Sequence, residues 1–132
     1  MPQAEGPVDR SIHSNNAESL RQRTKRFALM VVKLCQSLRR THEARVISDQ
    51  LLRAGTGVAA NYRAACRGRS RAEFIAKLGV VVEEADETVF WCEILEESGL
   101  VEHRDIEALL NEGRQLLAIF AASRKTARSR KK

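Results

Sequence analysis

The stretch QLLRAGTGVAANYRAACRGRSRAEFIAKL, residues 50–78, leaves few folds open. Leu51, Ala54, Val58, Tyr62 and Ala65 recur at steps of three and four, the period of a helix that buries one face. Cys66-Arg67-Gly68 ends that helix, with Gly68 expected to take the left-handed conformation that closes it. Ser70-Arg71-Ala72-Glu73 then forms a capping box, in which the serine hydroxyl and the glutamate carboxylate each satisfy an orphan amide just before a new apolar run. Two helices therefore meet at a turn carrying Arg63, Arg67, Arg69 and Arg71.

The same periodicity extends in both directions. A first helix over about residues 19–40 turns Phe27, Val31, Leu34 and Leu38 inward, supported by Ala28 and Cys35. Thr41 caps the second helix, roughly residues 42–66. The third, roughly 71–98, places Phe74, Leu78, Val81, Ala85, Thr88, Cys92 and Leu95 at unbroken steps of four and three, the seam spacing of a left-handed bundle. Ser98-Gly99 ends it. The fourth, about 103–123, runs on Ile106, Leu109, Leu110, Leu116, Leu117 and Phe120. Both prolines, Pro2 and Pro7, precede all of this. The expected fold is all-α: an antiparallel up-down-up-down four-helix bundle over residues 19–123. A disordered N-terminal arm, 1–18, precedes it, and a basic C-terminal tail, 124–132, follows.

Small residues refine the register. Gly55, Gly57, Gly79 and Gly113 lie inside helices, where each costs about 1 kcal/mol relative to alanine. Such a cost is tolerable where neighbours approach closely. With the second turn centred near Gly68, Gly57 faces Val80 and Arg53 faces Glu84. The acidic run Glu83, Glu84, Asp86, Glu87 then opposes the basic face of the second helix.

Charge is informative once it is divided. Residues 1–77 hold 15 Lys/Arg against 6 Asp/Glu, residues 78–123 hold 2 against 11, and the last nine residues hold 6 against none. The expected topology gathers Arg21, Arg23, Lys25, Arg26, Arg63, Arg67, Arg69 and Arg71 at one pole. The tail cations Arg124, Lys125, Arg128, Arg130, Lys131 and Lys132 join them there. Glu93, Glu96, Glu97, Glu102, Asp105 and Glu107 go to the other, tempered by Arg39, Arg40 and Arg45. Arg71, Arg21 and Arg23 are expected near helix N-termini, where cations are disfavoured and anions such as phosphate are welcome. So many cations at one pole point to a polyanion, RNA or DNA, held through phosphates with steep salt dependence. Tyr62 is the one aromatic among them, so stacking on single strands is not indicated.

The third helix also carries more apolar surface than one seam uses. Ile75, Val82 and Val89 form a second line, with Phe90, Trp91 and Ile94 beyond it. Surplus of this kind marks an interface, and a cyclic homo-oligomer is the expectation. The alternative is a wide core stripe in a monomer.

Other chemistry finds little support. Di-iron bundles need Glu-x-x-His on two helices, and His13, His42 and His103 fall in the arm or at helix starts, so neither metal nor cofactor is expected. Cys66 lies beside Arg63 and Arg67 but has no histidine base in sequence. Without a catalytic constellation, the expectation is a non-enzymatic protein. Three cysteines without metal spacing suit a reducing cytoplasm. No apolar run is long enough for a membrane span, and the tail lacks a lipidation signal.

Residues 48–101 resemble the four-helix-bundle family of 23S rRNA intervening-sequence proteins. The resemblance rests on Gln50, Leu51, Arg53 and Ala54; on Asn61; on Ser70, Glu73 and Phe74; and on the Glu-rich segment from Glu83 to Glu87. The chain departs from the family at Asn61-Tyr62-Arg63, where Asn-Ile-Ala-Glu-Gly is more usual. The resemblance implies an open up-down bundle that assembles as a homopentameric ring, without enzymatic activity. It also implies kinship with the accessory proteins of diversity-generating retroelements, which bind nucleic acid and a reverse transcriptase. A scaffold or accessory subunit for such a polymerase is accordingly the alternative function.

Overall fold

A computed structural model describes the backbone of residues 2–130 and the side chains from residue 16 onward within that span. Four helices pack against one another: α1 (Pro2–Ser37), α2 (His42–Cys66), α3 (Arg71–Glu97) and α4 (His103–Ser129). Among the described residues there is no strand.

Local chemistry sets most of the helix ends. Thr41 Oγ1 accepts from the Ala44 amide at 3.1 Å and starts α2. Ser70 Oγ accepts from the Glu73 amide at 3.1 Å and starts α3. The Glu73 carboxylate reaches back to the amide of Arg69 at 2.8 Å, one residue upstream of the partner that a capping box expects. Gly68 does not take the left-handed conformation expected of it; among the described residues only Gly99 has positive φ, +81°. Gly68 serves a close approach instead. A Cβ there would lie 3.1 Å from the Ala65 carbonyl oxygen and 3.2 Å from the Phe74 amide nitrogen, so the glycine lets the turn fold tightly onto the start of α3. At the end of α3, Gly99 does supply the left-handed turn, and the Val101 amide donates to the Leu95 carbonyl at 3.1 Å.

Two boundaries differ from the sequence expectation. α1 is helical from Pro2 rather than from about Ser19, so the helix shows no break at the expected junction between arm and bundle. α4 continues to Ser129 rather than stopping near Ser123, because Ala121, Ala122, Arg124, Lys125 and Ala127 favour helix and nothing interrupts it. Much of the expected tail is thus the last part of α4.

The seams follow the apolar period. Leu51, Ala54, Val58, Tyr62 and Ala65 of α2 are all buried. On α3, Leu78, Val81, Ala85, Thr88, Cys92 and Leu95 are buried and Phe74 is half-buried. Phe27, Val31 and Leu34 of α1 meet them, as do Ile106, Leu109, Leu110, Leu116 and Phe120 of α4. α2 packs extensively on α1 and on α3, and α3 on α4; α1 and α4 share a smaller seam. The buried Thr88 hydroxyl donates to the Glu84 carbonyl at 2.7 Å, so no polar cost is left in the core there.

Individual contacts fix the register. Val31 lies against Gly55, where a Cβ would stand 2.7 Å from its Cγ2. Val89 and Phe27 both press on Gly113. Arg53 pairs with Glu84 at 3.6 Å and with Glu87 at 2.6 Å, as the acidic run of α3 predicted. Gly57, however, faces Glu84 and not Val80, which is largely exposed: a Cβ at Gly57 would overlap the Glu84 carboxylate. The missing side chain at Gly57 makes room for that carboxylate on α2, and burial pushes the Glu84 carboxyl up from its ordinary value despite Arg53 nearby.

Candidate nucleic-acid interface

The cationic side chains sort into groups with different surroundings. Arg21 and Lys25 on α1, with Arg63 and Arg67 at the end of α2, line one cleft of about 620 Å³. Thr56, Ala59 and Ala60 give it a floor of short side chains. Among the described residues Glu18 is the only carboxylate on its wall, and it accepts from Arg21 and from Gln22. Cys66 also lines the cleft and lies within reach of both Arg21 and the Tyr62 hydroxyl. Tyr62 itself is buried, its ring 5.0 Å from that of Phe120, and burial pushes its phenol well above the usual range. No aromatic surface is therefore offered by Tyr62 to a base.

Arg23 points elsewhere. Its guanidinium donates to both oxygens of Glu112 on α4, at 2.7 and 2.9 Å, and to Gln115 at 2.9 Å. That bond holds the Glu112 carboxyl below its ordinary value. Arg23 is thus a strut between α1 and α4, and no sequence signal joins two residues so far apart along the chain. Arg26 is exposed nearby. Because α1 begins at Pro2, Arg21 and Arg23 lie mid-helix, and the expectation that they flank a helix N-terminus does not hold for them. Arg71, the first residue of α3, does occupy such a position.

Arg69 and Arg71 are exposed on the turn between α2 and α3. Arg71 Nη1 donates to the Arg130 carbonyl at 2.9 Å, which joins the start of α3 to the end of α4. Arg124, Lys125 and Arg128 line a second, smaller groove of about 420 Å³ with Val82, Ala121 and Ser129. Lys131 and Lys132 lie outside the described residues. The fold therefore brings Arg21, Lys25, Arg63 and Arg67 into one cleft, whereas Arg69, Arg71 and Arg130 do not line it.

The apolar surplus on α3 divides as well. Phe90 is 48% exposed, its ring edge-on to Trp91 at 4.9 Å. Trp91 is half-buried and its indole donates to Glu87 at 3.1 Å. Ile75, Val82 and Ile94 are half-buried. Val89 leaves the expected interface line: it is buried within the subunit, against Gly113 of α4, because the core stripe of α3 is wide enough to serve α4 as well as α2. Leu29, Val46, Leu52 and Val80 are exposed apolar side chains that periodicity did not single out.

Among the described residues no three His, Cys, Asp or Glu side chains gather as a metal-binding group, and no helix is long and apolar enough to cross a membrane.

Residues 10–122 match the model of the family described as 23S rRNA-intervening sequence protein. The chain belongs to that family. The match takes in most of α1, all of α2 and α3, and most of α4. Among solved structures, a protein of unknown function from the S23 ribosomal protein family of Bacteroides thetaiotaomicron is 31% identical, with a TM-score of 0.74. The alignment covers 80% of this chain and 97% of that one. No curated protein matches. In this intervening-sequence family member the motifs that carry the resemblance converge on the α2–α3 seam. Arg53 joins Gln50 at 3.0 Å to Glu87, and Asn61 donates to the Gly57 carbonyl at 2.9 Å beside Glu84. The bonds of Arg53 hold α2 and α3 in register, and the motif at Ser70 and Glu73 sets the turn that carries Arg69 and Arg71.

Proposed function

We propose that the protein is a non-enzymatic, self-associating nucleic-acid-binding accessory protein of the cytoplasm that grips phosphates at its cationic end. RNA is the preferred ligand, in keeping with the 23S rRNA in the family's description. The observation that carries this reading is the α1–α2 cleft, where, among the described residues, four cations face a single carboxylate. An unbalanced set of this kind favours a polyanion, and the short residues of its floor let a phosphate backbone lie close. With Tyr62 buried, contacts to the backbone of a structured RNA or a duplex prevail over base stacking.

The bundle is taken as antiparallel, supported by the pairings Arg71–Arg130, Gly79–Arg124, Gly113–Val89 and Glu93–Arg114 along α3 and α4. Self-association uses the exposed side of α3, with Phe90 at its centre, in a ring of five. Light scattering tests that part: a mass near five times 14.8 kDa is expected, and a mass of 14.8 kDa at every concentration rejects it.

Binding is tested by fluorescence anisotropy with an RNA hairpin over a salt series. The logarithm of affinity is expected to fall linearly with the logarithm of salt, by roughly 0.9 for each duplex phosphate neutralised. Replacing Arg21, Arg63 and Arg67 together by alanine is expected to flatten that slope by roughly 2–3. A slope that the triple variant leaves unchanged rejects the cleft as the site.

A further inference from the structure

Glu18 stands apart from most carboxylates that pair with arginine in this chain. Arg23 reaches Glu112 on α4, Arg53 reaches Glu84 and Glu87 on α3, and Arg114 of α4 reaches Glu93 on α3, so each of these pairs ties two helices together. Arg124 is braced without a carboxylate: among the described residues none lines its groove, and its guanidinium lies across Gly79, 3.0–3.2 Å from where a Cβ would stand, with Nε buried and unpartnered. Glu18 and Arg21 are three residues apart on α1, so their pair joins no two helices and, being exposed, adds little to stability.

The geometry of that pair gives it another role. Glu18 Oε1 accepts from Arg21 Nε, at 3.1 Å, and from Nη2, while Oε2 accepts from Gln22 at 3.2 Å. Nε and Nη2 form one edge of the guanidinium, which a phosphate takes through two parallel bonds. The carboxylate therefore stands where phosphate oxygens would stand. Its bond to Arg21 holds the Glu18 carboxyl below its ordinary value, so it stays ionised. Around it in the cleft are Lys25, Arg63 and Arg67, none of which makes an ion pair among the described residues. The Glu18 side chain is 56% exposed and free to turn into water when another anion arrives.

We propose that Glu18 is an internal competitor for phosphate, which keeps Arg21 engaged until a chain of phosphates displaces it. The inference rests on the reading of the α1–α2 cleft given above and says what that cleft admits. A single phosphate on Arg21 gains one arginine edge and must expel one carboxylate, an even exchange. A polyanion expels the same carboxylate but also meets Lys25, Arg63 and Arg67, where nothing has to leave. The cleft thus stays closed to inorganic phosphate and opens to a nucleic-acid backbone.

A double-mutant cycle on the full chain tests this, with the RNA hairpin followed by anisotropy at low salt. Glu18→Gln removes the charge and keeps the length of the side chain, and circular dichroism checks that helicity is unchanged. It is expected to tighten hairpin binding roughly fivefold, the factor that one ion pair at 4 Å amounts to in water. Beside Arg21→Ala, the same change is expected to leave the affinity within about twofold, because the edge that Glu18 held is gone. Inorganic phosphate, titrated against the hairpin at constant ionic strength, is expected to inhibit Glu18→Gln with a constant lower than the wild type's by a similar factor.

Equal hairpin affinity of Glu18→Gln and wild type overturns the competitor role. So does a gain that keeps its full size beside Arg21→Ala, since Glu18 would then act on the ligand directly and not through Arg21. A hairpin gain with no change in the phosphate constant overturns it as well. A hairpin that binds neither chain overturns the reading of the cleft itself.

Discussion

The two ends of this molecule both carry many charges, yet they differ in how those charges are answered. Around the turn between α3 and α4, His103 meets Glu96 and Glu107, and Arg104 lies 3.4 Å from Glu102 and 3.8 Å from Asp105. Lys33 and Arg39 share a cleft there with Glu102 and Asp105. In the α1–α2 cleft, Arg21, Lys25, Arg63 and Arg67 face Glu18 alone among the described carboxylates. The number of cations in a region therefore says less than the number left without a counter-charge. Compensated charge is weakly stabilising surface; uncompensated charge attracts a partner.

The largest expected effect separates the ends directly. Arg63→Glu with Arg67→Glu is expected to lower RNA affinity at least 100-fold at low salt, since two phosphate contacts are lost and two repulsions gained. Arg39→Glu with Arg40→Glu at the far end is expected to stay within about threefold of wild type. Equal losses in the anisotropy titration would erase the distinction.

A second test asks whether the cleft depends on the seam beneath it. Gly55→Leu forces a side chain into Val31 and is expected to cost about 1–3 kcal/mol in urea unfolding, by overpacking. Gly99→Ala also strains the backbone, at φ +81°, but meets no neighbouring atom within 4 Å. It is expected to cost about 1 kcal/mol and to leave RNA binding intact.

Smaller effects come from the paired charges. Arg23→Ala removes the strut to Glu112 and is expected to cost about 1 kcal/mol. The Glu112 carboxyl is lower in the folded chain than its ordinary 4.5, so its contribution is present above that pH and is lost as pH falls through the depressed value. The wild-type chain should accordingly lose its advantage over Arg23→Ala under acid, as paired unfolding curves would show. The smallest effect is at His103, raised from 6.5 by its bond to Glu96. Its contribution is complete below 6.5 and disappears as pH rises through the raised value. Proton NMR should place its titration above 6.5, and Glu96→Gln should bring it down.

Much of the fold is legible in sequence because its signals are local. Thr41 and Ser70 cap the helices they were expected to cap, and the unbroken seam of α3 is buried from Leu78 to Leu95. What escapes depends on residues distant in the chain. Glu84 rather than Val80 fills the space at Gly57, a displacement of about one turn that periodicity does not resolve. Val89 is core because α4 arrives beside it, and Arg23 is a strut because Glu112 does. The sequence identifies the cations of the α1–α2 cleft, but not their separation from Arg23 or the presence of Glu18 among them. Nor does it tell the turn glycines apart: Gly99 needs left-handed freedom, whereas Gly68 needs only the absence of a side chain.

The arginine lying across Gly79 has one more consequence. A guanidinium on a free side chain surrenders up to about 2 kcal/mol of rotamer freedom when a ligand immobilises it. Arg124, flattened on a bare stretch of helix, has given up much of that freedom during folding. Its charge is preorganised, so an arriving anion finds it already aimed and an anion of the wrong shape finds it unyielding. A larger residue at position 79 would lift the guanidinium away, trading selectivity for reach.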